Sequence, residues 1–473
     1  MKKLFIFATA AIAFASCSEN DLGNIAQENT LEQATAVSFG TYMGESATRA
    51  GTTGSITTAS LQTGGTHAID GFAVYGYLTS DALTDNAAVA ISPNFMWNQQ
   101  VTYSSGNWTY SPVKYWPNGT DANNNHEGTG QSTEVSTQYL SFYAYAPYVP
   151  AGDATAGITA LPANNATDLK ISYKMPDEAA AANVVDLLWG MRGNTSGYGL
   201  ASGSESAEQK ENKYNVNLTK QNTTEKVSFN FKHALAKIGG YDNTANRSGL
   251  KVIYDIDGNS TGSTGFGTTD ANTLVTINSI TISNGVDASN NSLLAATGKF
   301  DISTGTWSEQ ALSGTANPAI SATISGTQLN TVIAEPAEAP THPSEWSLEG
   351  VTTSAKDVYA SGADVAPFLF IPGFEQTIKV SVTYTVRTFD EGLAVPTGET
   401  VKCTKVTQTI TNNVTLPATT EPNKYYTLVM HLGLTSVKFT AEVVDWETTT
   451  SGSGVAPIEE QMYLPSNVVV PAP

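Results

Sequence analysis

The residues that most often carry metal or catalytic chemistry are few and scattered in this chain. Its five histidines lie far apart, and its two cysteines, Cys17 and Cys403, have no histidine or second cysteine close by in the sequence. A zinc site needs several thiolate or imidazole ligands at short, regular spacings. We therefore expect no metal site built from these residues.

One acidic segment comes close to a calcium-binding loop but fails two of its requirements. Residues 255–259 match the first three ligand positions, whereas the sixth position is Ser260 instead of glycine and the twelfth is Phe266 instead of a bidentate glutamate. Because Asp257-Gly258 follows a strand-like run, it is instead typical of a hairpin turn. We expect no catalytic residues, no cofactor and no enzymatic activity, although the paired carboxylates of a surface glycosidase would meet in space and not in sequence.

The charge balance of the chain narrows the range of partners. Forty-three acidic residues stand against 23 basic ones, which gives a formal net charge of -20 over 473 residues. Such a chain is repelled by nucleic acid and by anionic lipid headgroups. We expect no nucleic-acid partner and no electrostatic binding to a membrane.

The N-terminus has the features of an export signal. Lys2 and Lys3 precede an apolar run over residues 4–14, and the small residues Ala15-Ser16 stand directly before Cys17. The run is too short to span a bilayer. The segment 14–17 resembles a bacterial lipobox, which implies a signal peptide over 1–16 and lipidation of Cys17, so that the membrane is reached through lipid only. An ordinary secretory signal is the alternative.

Lipidation of Cys17 would leave Cys403 as the only free thiol, so no intramolecular disulfide is available. Stability must then come from burial of apolar surface. We expect Cys403 itself to be a small buried residue.

Runs rich in β-branched and aromatic residues dominate the chain and predict β-strands. The strongest runs are 71–78, 139–145, 226–231, 251–256, 274–282, 377–386 and 425–431. Asn284-Gly285, after the run 274–282, predicts a hairpin turn. The best helical candidate is the short segment 233–238, followed by Gly239-Gly240 as a C-terminal stop. The sequence therefore predicts an all-β fold of antiparallel sandwiches.

Two further segments alternate apolar and small or polar residues as half-buried strands do. In the first, the residues of one parity are Val37, Phe39, Thr41 and Met43. Arg49-Ala50 follows in a stretch rich in Thr, Gly and Ser, where an isolated arginine is a good target for a trypsin-like protease. In the second, after a linker at 448–454, the residues of one parity are Ile458, Met462, Leu464, Val468 and Val470.

Nine short motifs follow one another along the chain. They are WTYSPVKYWP at 108–117, FYAYAP at 142–147, DLLW at 186–189, FKHALAK at 231–237, VTINSI at 275–280, LFIPG at 369–373, VTY at 382–384, YYTL at 425–428 and VDWE at 444–447. As an ordered set they resemble the fimbrillin family of type V pili, and the resemblance extends over roughly residues 35 to 450.

The resemblance implies two transthyretin-like β-sandwich domains in tandem, with an N-terminal removable strand and a C-terminal donor-strand tail. On this chain it implies a propeptide with the removable strand at 17–49, an N-terminal domain at 50–225, a C-terminal domain at 226–447, and a linker and tail at 448–473.

The resemblance also implies a function at the cell surface. A lipoprotein precursor would be exported to the outer membrane, and a processing protease would cut between Arg49 and Ala50 and remove the strand that holds Val37, Phe39, Thr41 and Met43. The tail of another copy, or of another pilus subunit, would fill the groove. The alternatives are a monomeric surface adhesin or a terminal tip or anchor subunit that binds glycan or protein.

Overall fold

The computed structural model of the chain describes fifteen stretches of sequence. They are residues 36–42, 61–62, 71–83, 91–117, 138–152, 157–192, 215–218, 226–242, 247–254, 273–335, 355–363, 365–433, 437–445, 460–463 and 466–467. These stretches contain β-strands, two single-turn 3-10 helices, Ala181–Asn183 and Gly326–Gln328, and two α-helical residues, Leu61 and Gln62. The prediction of an all-β fold is confirmed.

The first half of the chain supplies the strands of one large sheet. The first eleven strands are β1 (Phe39–Tyr42), β2 (Phe72–Thr79), β3 (Met96–Ser104), β4 (Asn107–Thr109), β5 (Tyr139–Ala146), β6 (Ile158–Ala160), β7 (Lys170–Lys174), β8 (Glu178–Ala180), β9 (Leu188–Arg192), β10 (Asn215–Leu218) and β11 (Val227–His233). In space the order of this sheet is β1-β11-β9-β5-β2-β3-β4, and β10 also pairs with β5, whereas β6, β7 and β8 belong to other sheets.

This first sheet is buried on both faces. On one face, Phe72 and Val74 of β2 belong to a core that also holds β1. On the other face, Tyr75 and Tyr77 belong to a larger core that continues into the second half of the chain. A strand covered on both sides needs a nearly continuous apolar and aromatic run, which is what β2 has.

The second half of the chain supplies the remaining strands. They are β12 (Ala236–Ile238), β13 (Tyr241–Asp242), β14 (Arg247–Ser248), β15 (Leu250–Tyr254), β16 (Thr273–Asn284), β17 (Thr297–Asp301), β18 (Thr306–Ala311), β19 (Ala319–Ser325), β20 (Lys356–Asp357), β21 (Phe368–Phe370), β22 (Gln376–Phe389), β23 (Cys403–Leu416), β24 (Lys424–Leu432), β25 (Val437–Asp445), β26 (Glu460–Tyr463) and β27 (Ser466–Asn467). One sheet has the order β20-β15-β24-β12-β21, with β25 also paired to β24 and β26 paired to β25, and another has the order β27-β23-β22-β16-β19-β8.

The long strands β16, β22 and β23 show how the local sequence sets the fold. In β22, Ile378, Val380 and Val382 are buried and alternate with partly exposed polar residues. On the opposite face, cross-strand hydroxyl groups pair, as between Thr383 and Thr409 at 2.8 Å. Such alternation lets one face pack on a core while the other meets water.

Strand pairing also joins the two halves of the chain. β7 pairs with β17, and β8 pairs in parallel with β19, although β7 and β8 precede residue 226. β11 begins just after residue 226, yet it pairs with β1 and β9 of the first sheet. Pairing therefore crosses residue 226 in both directions, and the division into two transthyretin-like domains stays a prediction.

The prediction of a helix at 233–238 is wrong. His233 ends β11, and Ala236–Ile238 form β12. Every residue of this segment is buried, so it has no polar face to turn toward water as a surface helix would. Gly239 and Gly240 do adopt the left-handed conformation expected of a stop, but they end a strand.

The predicted hairpin at Asn284-Gly285 is also wrong. β16 pairs with β19 and β22, not with the next strand along the chain. Gly285 donates its N–H to the carbonyl oxygen of Thr377 at 2.9 Å, so the chain continues beside β22 instead of reversing. Asp257-Gly258, the other predicted turn, lies outside the described residues.

Cys403 is 2% exposed, so the prediction that it is a buried residue is confirmed. Burial raises the pKa of its thiol, and the nearby carboxylate of Glu399 adds to the rise. Both effects disfavour the reactive thiolate.

This burial predicts slow thiol chemistry in the folded protein. In a Cys17→Ser variant, whose one remaining thiol is Cys403, we expect a disulfide reagent at pH 8 to react at least about tenfold more slowly in buffer than in denaturant. The measurement is the absorbance of the released thiol over time. Equal rates in the two solutions would mean that Cys403 is accessible in the native state.

Candidate functional site

The segment 36–42 lies between two neighbouring stretches of backbone. On one side β1 runs parallel to β11, with Phe39 opposite Val227 and Tyr42 opposite Asn230. Val227 donates its N–H to the carbonyl oxygen of Ser38 at 2.8 Å. Because β1 ends the order of strands in its sheet, it is an edge strand whose removal would expose the backbone of β11.

On the other side, the start of the segment is held by a stretch just before Trp116. Val37 donates its N–H to the carbonyl oxygen of Lys114 at 2.9 Å, and Ala36 forms an antiparallel bridge with Tyr115. The Tyr110 hydroxyl lies 2.8 Å from the Val37 carbonyl oxygen and can donate a hydrogen bond to it. The segment is thus held by backbone contacts on both sides, at different residues.

Two side chains of the segment are buried in the smaller core. Val37 and Phe39 are each 1% exposed. The Phe39 ring lies 5.3 Å from that of Tyr110, 5.5 Å from that of Phe142 and 6.0 Å from that of Phe229, measured between ring centroids. Without Phe39, these three rings would line an open aromatic pocket.

Thr41 differs from Val37 and Phe39, although the three share one parity. It is only half-buried, but its hydroxyl oxygen is buried and has no hydrogen-bond partner among the described residues. An unmatched buried hydroxyl costs about 1–3 kcal/mol. Met43, the next residue of this parity, lies outside the described residues, as do Cys17, Arg49 and Ala50.

The described parts of the C-terminal tail form two short strands, β26 and β27, and each pairs with another strand of the same chain. β26 pairs antiparallel with β25 and places Met462 opposite Ala441. β27 pairs antiparallel with β23, with Ser466 opposite Val414. The other tail residues of the Met462 parity, Ile458, Leu464, Val468 and Val470, lie outside the described residues.

Within the described stretches, no group of three or more His, Cys, Asp or Glu side chains could hold a metal ion. The same stretches contain no helix long and apolar enough to cross a membrane.

Comparison with known proteins tests the resemblance to the fimbrillin family. No protein-family model matches the chain. A curated relative, the fimbrium subunit Fim1C of Phocaeicola vulgatus, is 26% identical over 146 residues, which is 31% of this chain and 31% of that protein. The resemblance to fimbrillins is confirmed. The chain thus matches less than a third of the length of this relative.

The solved structures bear on the fold. A crystal structure of a fimbrial protein from Bacteroides vulgatus superposes with a TM-score of 0.50 and 18% sequence identity, covering 87% of this chain and 99% of that one. At this identity the likeness concerns the fold alone. The all-β arrangement described above is therefore similar to that of a fimbrial protein over most of its length.

Sequence reasoning missed the residues that hold the segment 36–42 in place. Tyr110 and Lys114 lie within the motif at 108–117, which served only as a landmark of the fimbrillin family. The signal available was the density of aromatic residues there, but density alone does not identify which ring contacts which strand. The run 226–231 predicts the strand β11, but it does not predict the parallel pairing of β11 with β1.

Proposed function

We propose that this chain is a structural subunit of a surface fimbria that supports adhesion and polymerises by strand exchange. In this proposal a protease cuts after Arg49 and releases the segment that contains β1. The tail of another copy or another pilus subunit then occupies the vacated groove. The curated relative is itself named a fimbrium subunit, which supports the pilus part of the proposal.

The observation that carries the proposal is the way β1 is bound. It is a four-residue edge strand, yet it completes a sheet with β11, and the residues just before it pair with the stretch at 114–115. Burying a side chain such as Phe39 stabilises a protein by about 1.5–3 kcal/mol, so its loss would leave both unpaired backbone and uncovered apolar surface.

A groove of this kind favours addition of a strand from another molecule. Backbone hydrogen bonds give such a contact its affinity, and pockets for alternate side chains give it specificity. The Phe39 pocket, lined by Tyr110, Phe142 and Phe229, is apolar and aromatic. Because donor and groove lie at different places on one chain, the contact is head-to-tail and extends into a filament when its rotation does not close a ring.

The tail is the donor in this proposal. Ile458, Met462, Leu464, Val468 and Val470 share one parity, as the side chains of a strand entering a row of pockets must. Cys17 would carry the lipid that holds the precursor at the outer membrane before processing. The partners are then other subunits and the processing protease, with no nucleic acid.

The second candidate is a monomeric surface adhesin or a terminal pilus subunit. One observation favours it: β26 and β27 pair with β25 and β23 of their own chain, so the tail has a binding place without a second subunit. A tail that never leaves this place could not be donated. The two candidates predict different results of cleavage, because only a polymerising subunit would form multimers after it.

Treatment of the purified precursor with a trypsin-like protease tests the proposal. We expect a cut between Arg49 and Ala50, followed by a ladder of multimers, because the open groove then accepts a neighbour's tail. Intact mass identifies the cut, and native mass spectrometry counts the subunits. Two variants serve as controls: Arg49→Gln, which should stay uncut there and monomeric, and a chain truncated after Glu447, which should be cut but stay monomeric.

The contrary results are specific. Cleavage without multimers would favour the monomeric adhesin or a terminal subunit. Multimers that form equally from the truncated chain would show that the tail is not the donor.

A further inference from the structure

A second groove on the first sheet lies next to the place where β1 is bound. It is formed by residues of β3, β4 and the stretch after β4, together with Tyr148. Its volume is about 490 Å³, and its wall combines three aromatic side chains, Trp97, Tyr110 and Tyr148, with six amide or hydroxyl side chains. This volume falls in the range of about 300–1,000 Å³ that is typical of small-molecule sites. None of the nine lining residues is charged, although the chain carries a formal net charge of -20.

The floor of the groove is a β-bulge in β3. Val74 of β2 pairs with Gln99 of β3, and Gly76 pairs with Met96. Between these two pairs β2 has one residue and β3 has two, so β3 contains the extra residue of a bulge. Within the bulge, Asn98 has a left-handed backbone with φ of 43°. Asparagine is one of the few non-glycine residues that adopt this conformation readily, and β-bulges are over-represented next to active sites, where they redirect side chains.

The bulge is fixed by buried hydrogen bonds. Asn98 is 7% exposed, its side-chain Nδ2 donates to the carbonyl oxygen of Val149 at 2.9 Å, and its Oδ1 accepts from the Tyr145 hydroxyl at 2.7 Å. Its amide is therefore already occupied on the protein side. The bulge gives the groove a rigid floor whose shape does not depend on a ligand.

The aromatic wall is also held in place before any ligand arrives. The indole Nε1 of Trp97 donates to the carbonyl oxygen of Pro162 at 3.0 Å, which fixes the orientation of the ring. The Gln99 side-chain amide donates to the carbonyl oxygen of Ser111 at 3.1 Å and joins β3 to the stretch after β4. A fixed aromatic ring beside amides and hydroxyls costs little ordering entropy when a ligand binds.

We propose that this groove binds a neutral saccharide. Aromatic faces pack against the C–H face of a sugar ring, while amide and hydroxyl groups exchange hydrogen bonds with its hydroxyls. An acidic sugar would need a cationic partner, and the lining offers none. This binding site goes beyond the proposed role in assembly, and the two share one residue, because Tyr110 lines both this groove and the Phe39 pocket.

The test blocks the groove without touching the core. Thr109 is an exposed groove residue on β4, so Thr109→Arg places a long side chain in the groove with no change to buried packing. Asn107→Arg is the matched control, because Asn107 is an exposed residue of the same strand that does not line the groove. Equal denaturation midpoints for both variants and the parent chain establish that they fold.

The probe is an array of immobilised neutral oligosaccharides built from glucose, galactose, mannose and N-acetylhexosamines, with sialylated and sulfated versions of each. We expect the parent chain and Asn107→Arg to bind at least one neutral oligosaccharide, and Thr109→Arg to bind it about tenfold or more weakly. Sialylation or sulfation should not strengthen binding. The inference is overturned if no neutral oligosaccharide binds, if Thr109→Arg binds as well as the parent, or if only acidic versions bind.

Discussion

Replacing Phe39 with alanine lowers the free energy of unfolding of the uncleaved precursor by about 3–5 kcal/mol, the range for truncating a buried aromatic residue in a core that cannot collapse around the gap. Phe39 is 1% exposed and its ring contacts those of Tyr110, Phe142 and Phe229. These three rings are anchored in other parts of the fold, so the cavity stays open. Urea denaturation followed by tryptophan fluorescence measures the loss.

The matched control is another aromatic truncation next to the same segment. Tyr115 bridges Ala36 but its side chain is 51% exposed, so Tyr115→Ala should change the free energy of unfolding by about 0.5 kcal/mol or less. If Phe39→Ala were as mild as Tyr115→Ala, β1 would contribute little to the folded state, and its removal could not create a groove that needs filling.

Cleavage makes the same substitution diagnostic of the proposed processing. After a cut at Arg49 and loss of the released segment, the parent and Phe39→Ala proteins have the same sequence from Ala50 onward. Their free energies of unfolding should then agree. A difference that survives cleavage would mean that the segment with β1 remains bound to the cleaved protein.

Local sequence pattern predicted the strands well and their partners poorly. The runs 377–386 and 425–431 lie inside β22 and β24, because alternation and β-branched content reflect the environment of each strand directly. The parallel pairing of β1 with β11, and of β8 with β19, joins segments far apart in sequence. Such pairings depend on how whole sheets pack together, and a short stretch of sequence contains no information about that packing.

The segment 233–238 shows a second limit. An Ala-Leu-Ala run before two glycines has helical propensity and a helical stop, yet in the structure the segment consists of the end of β11, a bend at 234–235 and β12. β12 pairs with both β21 and β24, and these contacts outweigh a propensity worth only tenths of a kcal/mol per residue.

The candidate site divides in the same way. The parity of Val37 and Phe39 was readable from the sequence, and both side chains are buried. The contacts of Tyr110 and Lys114 with Val37 were not, because they join an irregular stretch to a distant strand. The groove on β3 depends on a bulge at Asn98, and nothing in the alternation of β3 marks that residue as left-handed.

The sequence alone did not predict a buried ion network in the second half of the chain. Breaking this network is expected to cause the second large loss in the free energy of unfolding. Arg387 is 1% exposed, and its guanidinium donates to Glu399 at 3.0 and 3.1 Å and to Glu335 at 3.2 Å. Lys405 lies 2.6 Å from the Glu399 carboxylate, whose side chain is 3% exposed. The two-point contact with Glu399 has the geometry of a strong charge-assisted pair.

We expect Arg387→Ala to lower the free energy of unfolding at pH 7 by about 3–5 kcal/mol, because the Glu399 charge stays buried without its main partner. Chemical denaturation measures the loss. Lys424→Ala is the control: Lys424 lies 3.6 Å from Glu421 in a pair whose side chains are 29% and 65% exposed, so that pair is worth about 1 kcal/mol or less.

The pH dependence of this effect follows from the pKa of Glu399. Burial raises that pKa, but hydrogen bonds from Arg387 and Lys405 outweigh burial and leave it below the usual 4.5. A carboxyl group whose pKa is lowered by folding contributes stability above its unfolded pKa and loses it as the pH falls through the folded value. The gap between parent and Arg387→Ala should therefore shrink below about pH 4.5.

A double variant separates loss of a partner from loss of packing. In Arg387→Met with Glu399→Met, neither of these two charges remains in the core, so we expect at least about half of the lost stability to return. If the double variant is no more stable than Arg387→Ala, the cost lies in the shape of the arginine side chain and not in the unpaired charge. If the free energy of unfolding of Arg387→Ala lies within about 1 kcal/mol of that of the parent, the ion network does not stabilise the folded protein.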